Sequence, residues 1–532
     1  MNDTIDNIFN SNNLDGIFNS NKVEGFDFKK LRNNQENKSK MVAAELNELF
    51  NPKPKIVVED NQLQLQSGKI ITFNEQQYEG LNKIRTWLKG KQPYMVLSGP
   101  AGTGKSTIIK KILEEYRGSV IVSAPTHRAK KVIAEITNKQ AKTLHSLLGL
   151  RMDVNIEEFS PNNPVFAPIA LPQITNYQFV VIDEASQVNS PLLGLIKEKN
   201  DKNRTKVLFM GDIFQICPVN EKRSEVFYDE EIEKVVLTKI ERQVDGNPLL
   251  SLYDDIRNNI EVPNGFLRKT NVNSKGEGII FTTDKKEFRD AMFEKYHSEE
   301  FKTNINYVKT VAWKNDTVMA SNKIIRTELF GKDTDIVELN DLLTGYRTIT
   351  NSKMTYNIIE NSGDYRIIEK SELEENTYGI KGYRLKVKED LGKNKFKYDD
   401  IFIVNTNDRD NKYLYAQLHD SFANMGKENK KMWYKYYDFR RNNMIMCDID
   451  KYINGAYRNT KDVIKRDVDY GYSCTVHKIQ GGTLNYVFVL ETDINLNWVQ
   501  KELNQIFYVA ISRPTTLAYV LSNRVNQQLT KS

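Results

Sequence analysis

Gly99, Pro100, Ala101, Gly102, Thr103, Gly104, Lys105 and Ser106 run unbroken through the pattern G-x-x-x-x-G-K-[ST], with Thr107 directly after. These residue types at this spacing suit a bound triphosphate. The glycines let backbone N–H groups converge on the β-phosphate, and a helix opening at the lysine offers its positive end. Lys105 is placed to bridge the β- and γ-phosphates, and the Ser106 hydroxyl to ligate Mg²⁺. Further on, "VVIDEAS" ends an apolar run in two adjacent carboxylates. Asp183 is placed to hold Mg²⁺ through water, and Glu184 to orient and deprotonate an attacking water. A glutamate beside the metal aspartate points to hydrolysis, whereas a small-molecule kinase would need an acceptor pocket. In "FMGDIFQICPV", Gln215 is positioned to touch the γ-phosphate and respond to its loss.

Two further stretches have the composition of phosphate grips. "SAPTHRAKK" starts at a strand end and opens a helix, so Pro125, Thr126 and exposed N–H groups can meet a backbone phosphate, with His127, Arg128 and Lys130 beside them. "KTLHSLLG" adds Thr143 and His145, and the same T-x-H order recurs in "CTVHKIQGG" as Thr475, His477 and Lys478. His145, on an apolar segment, also fits a packed core histidine.

The elements that must position these residues are legible as an alternation of strands and helices. "YMVLS", "SVIVSA", "QFVVID" and "KVLFMGD" read as strands, each ending in a polar cluster, with helical periodicity between them. Such a pattern predicts a parallel α/β sheet with its ligands beyond the carboxyl ends of the strands. "YVKTVAWKND", "NYVFVLETD" and "TLAYVLS" predict a second α/β region. Residues 346–465, rich in Lys, Tyr and Asn, read as an inserted, mostly β domain with a helix around "KKMWYKYYDFRR". The aromatics of that helix fit either a packing face or a platform for nucleic acid.

The 532-residue chain is too long for one core, and at 39% hydrophobic and 27% charged it has the texture of a soluble globular protein. No apolar run approaches the roughly 18 residues of a membrane span. The start, "MNDTIDNIFN", lacks the basic-then-apolar pattern of a leader, and three scattered cysteines form neither a disulfide framework nor a zinc spacing, so a reducing cytoplasm is expected. A net charge of +6 permits nucleic-acid binding without requiring it. Residues 1–40 are asparagine-rich and read as an unfolded arm, with 41–69 as a connector. In that arm "DNIFNSN" recurs as "DGIFNSN", open to two readings: low-complexity drift, or a duplicated docking motif for a protein partner.

Taken in order, "GPAGTGKST", "APTHRAKK", "KTLHSLLG", "VIDEAS", "GDIFQICPV", "LTKIERQ", "CTVHKIQGGT" and "YVAISRP" resemble the motif set of superfamily 1 DNA helicases of the RecD-like branch. The resemblance implies two RecA-like lobes with ATP and Mg²⁺ between them: residues 70–245, with a small hairpin insertion at about 150–175, and 246–345 joined to 466–532. The 346–465 insertion would be an SH3-like β domain plus helix. It also implies that Gln77 of "FNEQQ" reads adenine, Gln76 being the alternative. Arg242 and Arg513 would touch the γ-phosphate from the opposite side, and the T-x-H segments would hold a DNA strand. The hairpin would carry a wedge, with Phe159 and Phe166 as its candidates, opening duplex against roughly 1.4 kcal/mol of stacking per step. The implied activity is ATP-dependent unwinding in the 5′ to 3′ direction on single-stranded and forked DNA, in replication, recombination or repair. Three other readings stay open: a translocase that unwinds little, a nucleic-acid-binding regulator with a weak ATPase, and a small-molecule kinase.

Overall fold

The computed structural model describes residues 59–65, 68–152, 166–168, 170–200, 204–218, 221–240, 247–353, 356–392, 395–450 and 463–524. By its internal contacts the chain divides after Thr72. The described part of the first unit is a short antiparallel hairpin, β1 (Gln62–Gln64) with β2 (Ile70–Thr72).

The second unit opens with α1 (Glu75–Lys89), started by a reciprocal cap in which Asn74 and Gln77 bond each other's backbone N–H. A six-stranded sheet follows. Its strands are β3 (Tyr94–Ser98), β4 (Val120–Ala124), β5 (Ala141–Thr143), β6 (Phe179–Ile182), β7 (Lys206–Gly211) and β8 (Glu233–Val236). They lie parallel in the order β8-β3-β7-β6-β4-β5. Every residue of β3 and β6 is buried, because helices cover both faces of a parallel sheet; this is why those strands read as continuous apolar runs. Helix α2 (Lys105–Glu115) follows β3, and α3 (His127–Thr137) follows β4.

The chain then enters a second sheet through β9 (Asn271–Val272), β10 (Gly278–Thr282) and β11 (Val308–Ala312). It leaves for an insertion made of β12 (Leu342–Gly345), β13 (Asp364–Lys370), β14 (Glu374–Glu375), β15 (Lys381–Asp390), β16 (Phe396–Val404) and β17 (Val468–Tyr470), all antiparallel. Two helices belong to it, α4 (Arg409–Glu428) and α5 (Trp433–Asn442). The sequence predicts only the second, since α4 is no more apolar than the chain as a whole. The outer strands β12 and β17 also lie just beyond the expected 346–465 boundaries, because the chain enters and leaves along paired strands. On α5, Tyr436 and Phe439 are buried while Tyr434 is exposed, and the ring of Phe439 packs on Tyr378, Tyr415 and Phe422. The α5 aromatics are chiefly a packing face.

Back in the second sheet come β18 (Ser473–Thr475), helix α6 (Val476–Ile479), β19 (Leu484–Leu490), helix α7 (Gln500–Ile511) and β20 (Pro514–Leu521). The order is β9-β10-β20-β19-β11-β18, parallel except for β9. The fold is thus α/β with two RecA-like lobes and a β insertion in the second. Nine consecutive residues of α7, Leu503 to Ile511, are buried, and Ile216 from the first lobe joins the apolar core around them. Among the described residues no helix is long and apolar enough to cross a membrane.

Candidate active site

The phosphate loop joins the end of β3 to α2. Gly102 and Gly104 hold φ of 88° and 87°, in the left-handed region that favours glycine. Gly104 stands at the N-cap of α2 with no side-chain cap, so the first N–H groups of the helix stay available to an anion. A side chain at Gly104 would also collide with Gln77, whose Nε2 lies 2.3 Å from where a Cβ would sit. Gln77 is buried, its Nε2 donating to the Thr103 carbonyl at 3.0 Å and its Oε1 accepting from Asn74 N at 3.1 Å. In this arrangement Gln77 braces the loop from behind. Gln76 instead ties α1 to the segment after β8, accepting from the backbone N–H of Thr238 and Lys239.

Lys105 Nζ donates to the carbonyls of Gly99 and Pro100, at 2.5 and 2.9 Å. Burial lowers its pKa, against the opposing pull of the Asp212, Asp183 and Glu184 carboxylates. Asp183 follows β6, tied by its N–H to the Ser123 carbonyl at 2.8 Å. The next residue, Glu184, has φ of 53°, a left-handed conformation uncommon for a side-chain-bearing residue and characteristic of functional turns. Burial pushes both carboxyls up: Asp183 to about 7, with the Glu184 charge adding to the effect, and Glu184 in the same direction despite Arg513 and Lys105.

Two adjacent acids, Glu184 buried and Asp183 half-buried, suit a divalent cation. Ser106 and Asp183 fit Mg²⁺, which keeps several waters and needs only one or two protein oxygens. That modest demand agrees with the finding that, among the described residues, no group of three or more His, Cys, Asp or Glu forms a metal cage.

The turn after β7 brings in Gln215, and the second lobe brings in Arg513. With its amide nitrogen toward the carboxylate, Gln215 lies 2.8 Å from Glu184 Oε2, and its oxygen lies 3.3 Å from Arg513 Nη2. The Gln480 amide touches Gln215 at 2.9 Å and Ser186 Oγ at 3.3 Å. Gly481, φ 78°, runs so close to the first lobe that a Cβ there would meet Ala129 at 2.9 Å and Glu184 at 3.4 Å. Lys105, Asp183, Glu184, Gln215 and Arg513 therefore form one cluster drawn from both lobes. Arg242 lies outside the described residues.

The grips are placed at helix starts. Thr126 Oγ1 accepts from Ala129 N at 3.2 Å, and Thr143 Oγ1 from Ser146 N at 3.3 Å, so each caps a helix and keeps its hydroxyl hydrogen to donate. Pro125 precedes the first of these caps. Burial lowers the pKa of both His145 and His477.

The basic residues next to these grips are not on an open surface. Lys130 and His127 both meet Glu360, at 3.0 and 3.2 Å, Arg128 meets Asp364 at 3.0 Å, and Lys131 meets Glu389 at 3.3 Å. All three acids belong to the insertion. Lys478 Nζ, buried and without a hydrogen-bond acceptor among the described residues, sits 3.2 Å from the ring centroid of Tyr346, and burial lowers its pKa to about 8. Thr475 is likewise buried.

Of the wedge candidates, Phe159 lies outside the described residues. Phe166 is on a short strand (Phe166–Pro168) paired with Leu150–Met152, and its side chain is not among those described. The "DNIFNSN" and "DGIFNSN" repeats also lie outside. Sequence reasoning missed Asp212, Gln480, Gln505 and Tyr508 as site residues; all lie within or beside the motif stretches, but only contacts between lobes reveal them.

A phosphate loop, an acid pair at the end of another strand of the same sheet and an arginine supplied by the second lobe define a nucleoside triphosphatase whose site is completed across a cleft. A family model described as an AAA domain matches residues 72–263. The ATP-dependent DNA helicase dda of Enterobacteria phage T4 is 25% identical over 469 residues, covering 83% of this chain and 97% of that protein. RecBCD enzyme subunit RecD of Buchnera aphidicola is also 25% identical, over 85% of this chain and 74% of its own length. A Pif1 helicase structure titled for unwinding at forked duplex DNA aligns at a TM-score of 0.47 with 16% identity, over 85% of this chain and 92% of that one. What the chain is similar to over most of its length is thus a set of proteins named as DNA helicases or as a RecD subunit.

Proposed function

We propose that this protein is an ATP-driven motor that moves 5′ to 3′ along single-stranded DNA and unwinds duplex; one relative is named an ATP-dependent DNA helicase. The observation that carries the reading is the Gln215 amide set between Glu184 of one lobe and Arg513 of the other. Because the hydrolytic cluster is complete only when the lobes meet, turnover and lobe closure become one event. On the second lobe the T-x-H segment runs straight into Gln480, which touches Gln215, so closure and opening shift its grip relative to the one on the first lobe. The direction rests on the resemblance to the RecD-like branch.

In this reading Lys105 holds the β- and γ-phosphates, Glu184 orients and deprotonates water, and Arg513 stabilises charge developing on the transferred group. Ser106 and Asp183 hold Mg²⁺, which supplies charge neutralisation on the phosphate oxygens. Pro125, Thr126, His127, Thr143, His145, Thr475, His477 and Lys478 face the strand, and phosphates entering the channel exchange with Glu360 and Asp364 for the cations of α3. Adenine recognition is assigned to Gln77 or Gln76.

The test is strand displacement from two partial duplexes, one with a 5′ tail and one with a 3′ tail, with ATP hydrolysis followed in the same tubes. Displacement from the 5′ tail alone, lost with hydrolysis in Lys105→Ala, is the expected result. Strand-stimulated hydrolysis without displacement would make the protein a translocase, and hydrolysis indifferent to DNA would overturn the motor.

The raised Asp183 pKa gives a second expectation. A protonated carboxyl cannot ligate a cation, so the proton and Mg²⁺ compete at Asp183. The Mg²⁺ concentration for half-maximal hydrolysis should rise as pH falls below about 7, by up to roughly tenfold per pH unit for one competing proton. Mg²⁺ titrations of the hydrolysis rate on either side of neutral pH measure it directly, and a pH-independent requirement would contradict it.

A further inference from the structure

Helix α7 reaches the first lobe with two polar side chains on one face. Gln505 and Tyr508, three residues apart, are neighbours on the helix surface. Tyr508 Oη donates to Asp212 Oδ2 at 2.7 Å, and Gln505 Nε2 donates to the Gln215 carbonyl at 3.0 Å. Both acceptors belong to the turn after β7 whose Gln215 side chain meets Glu184.

Asp212 is almost fully buried, and its other oxygen, Oδ1, accepts from Phe214 N at 3.0 Å, which shapes the turn. Tyr508 therefore gives the second oxygen a donor out of water, where an unpartnered carboxylate is costly. Asp212 is also the carboxylate whose charge acts most strongly on Lys105.

We propose that Tyr508 is a positioning residue for ATP hydrolysis: its hydroxyl, with the Gln505 amide, fixes the Asp212–Cys217 turn so that Gln215 stands against Glu184. Arg513 lies just past the end of the same helix. One rigid element thus carries the arginine and sets the turn that the arginine must meet, so displacing α7 withdraws both together. Tyr508 touches neither phosphate nor water in this scheme and acts only through Asp212 and Gln215. The inference rests on ATP hydrolysis and not on movement along a strand.

The test compares Tyr508→Phe with Tyr253→Phe. Tyr253 Oη donates to the Ile511 carbonyl of α7 at 2.9 Å, and its ring packs edge-on against Tyr508, so its variant loosens the same helix while leaving the Tyr508–Asp212 bond in place. Hydrolysis is measured with and without a single-stranded oligonucleotide, together with Tm.

Tyr508→Phe should lose roughly tenfold or more in kcat, with KM for ATP within about twofold, as expected for a charge-assisted bond that positions without binding substrate. Tyr253→Phe should lower Tm and keep kcat. A wild-type kcat in Tyr508→Phe, or an equal loss in both variants, overturns the proposal. If Tyr508→Phe does not fold, Gln505→Leu takes its place: a reduced kcat at unchanged KM supports the assignment, and an unchanged kcat overturns it.

Discussion

Arg513→Ala is expected to lower kcat for ATP hydrolysis by about 10³ to 10⁵, the range that a charge-stabilising arginine contributes in related phosphoryl transfers. The guanidinium is buried, with Nη2 facing Gln215 and Nε 3.3 Å from the Val509 carbonyl, so its direction is fixed before any nucleotide arrives. A charge already fixed in place does more than the same charge in solvent, because nothing reorganises as the reaction proceeds. Arg513→Lys should recover only part of the rate. A lysine restores the charge but not the planar fork that meets Gln215 and a phosphate oxygen together. Single-turnover hydrolysis at saturating ATP separates this effect from weaker binding. A loss confined to KM would assign Arg513 to binding instead of to the transition state.

Glu184→Gln should cost about 10² to 10⁴ in kcat, the usual contribution of a general base, while nucleotide binding survives. The amide keeps the shape of the side chain and can still meet Gln215, but it cannot take a proton from water. Removing a negative charge beside Asp183 and the phosphates should leave ATP affinity unchanged or tighter, since like charges no longer crowd the cleft. Fluorescent-nucleotide titration alongside the rate tests both halves. Loss of binding together with rate would mean that Glu184 holds the cluster together and does not act on water.

The chemistry of the first lobe is legible in the sequence because it is local. The phosphate loop supplies its glycines, lysine and hydroxyl within eight consecutive residues, and the acid pair stands at the end of a run that can only be a buried strand. The four inner strands of the first sheet, β3, β7, β6 and β4, are equally plain, since a strand covered on both faces must be apolar throughout. The edge strands β5 and β8 escape notice. They are three and four residues long, and β8 leaves three of its four residues exposed, so neither carries a run or a strict alternation.

The insertion shows the same limit in another form. Glu360, Asp364 and Glu389 are unremarkable acids in a charged segment, and only the fold sets them against His127, Arg128, Lys130 and Lys131. Gln77 stands in a stretch that the family resemblance connects with adenine, and only the fold shows its amide donating to the Thr103 carbonyl.

What the sequence determined by itself is the hydrolytic chemistry and the α/β class, because those follow from residues adjacent in the chain and from the apolar runs that bury them. What only the tertiary structure decided is which groups of the two lobes meet at that chemistry. Tyr508 meets Asp212 across 296 residues of sequence, and Gln505 meets the Gln215 carbonyl across 290. No local pattern encodes a hydrogen bond between two lobes, since each partner satisfies its own helix or turn equally well until the sheets pack and exclude water around the pair.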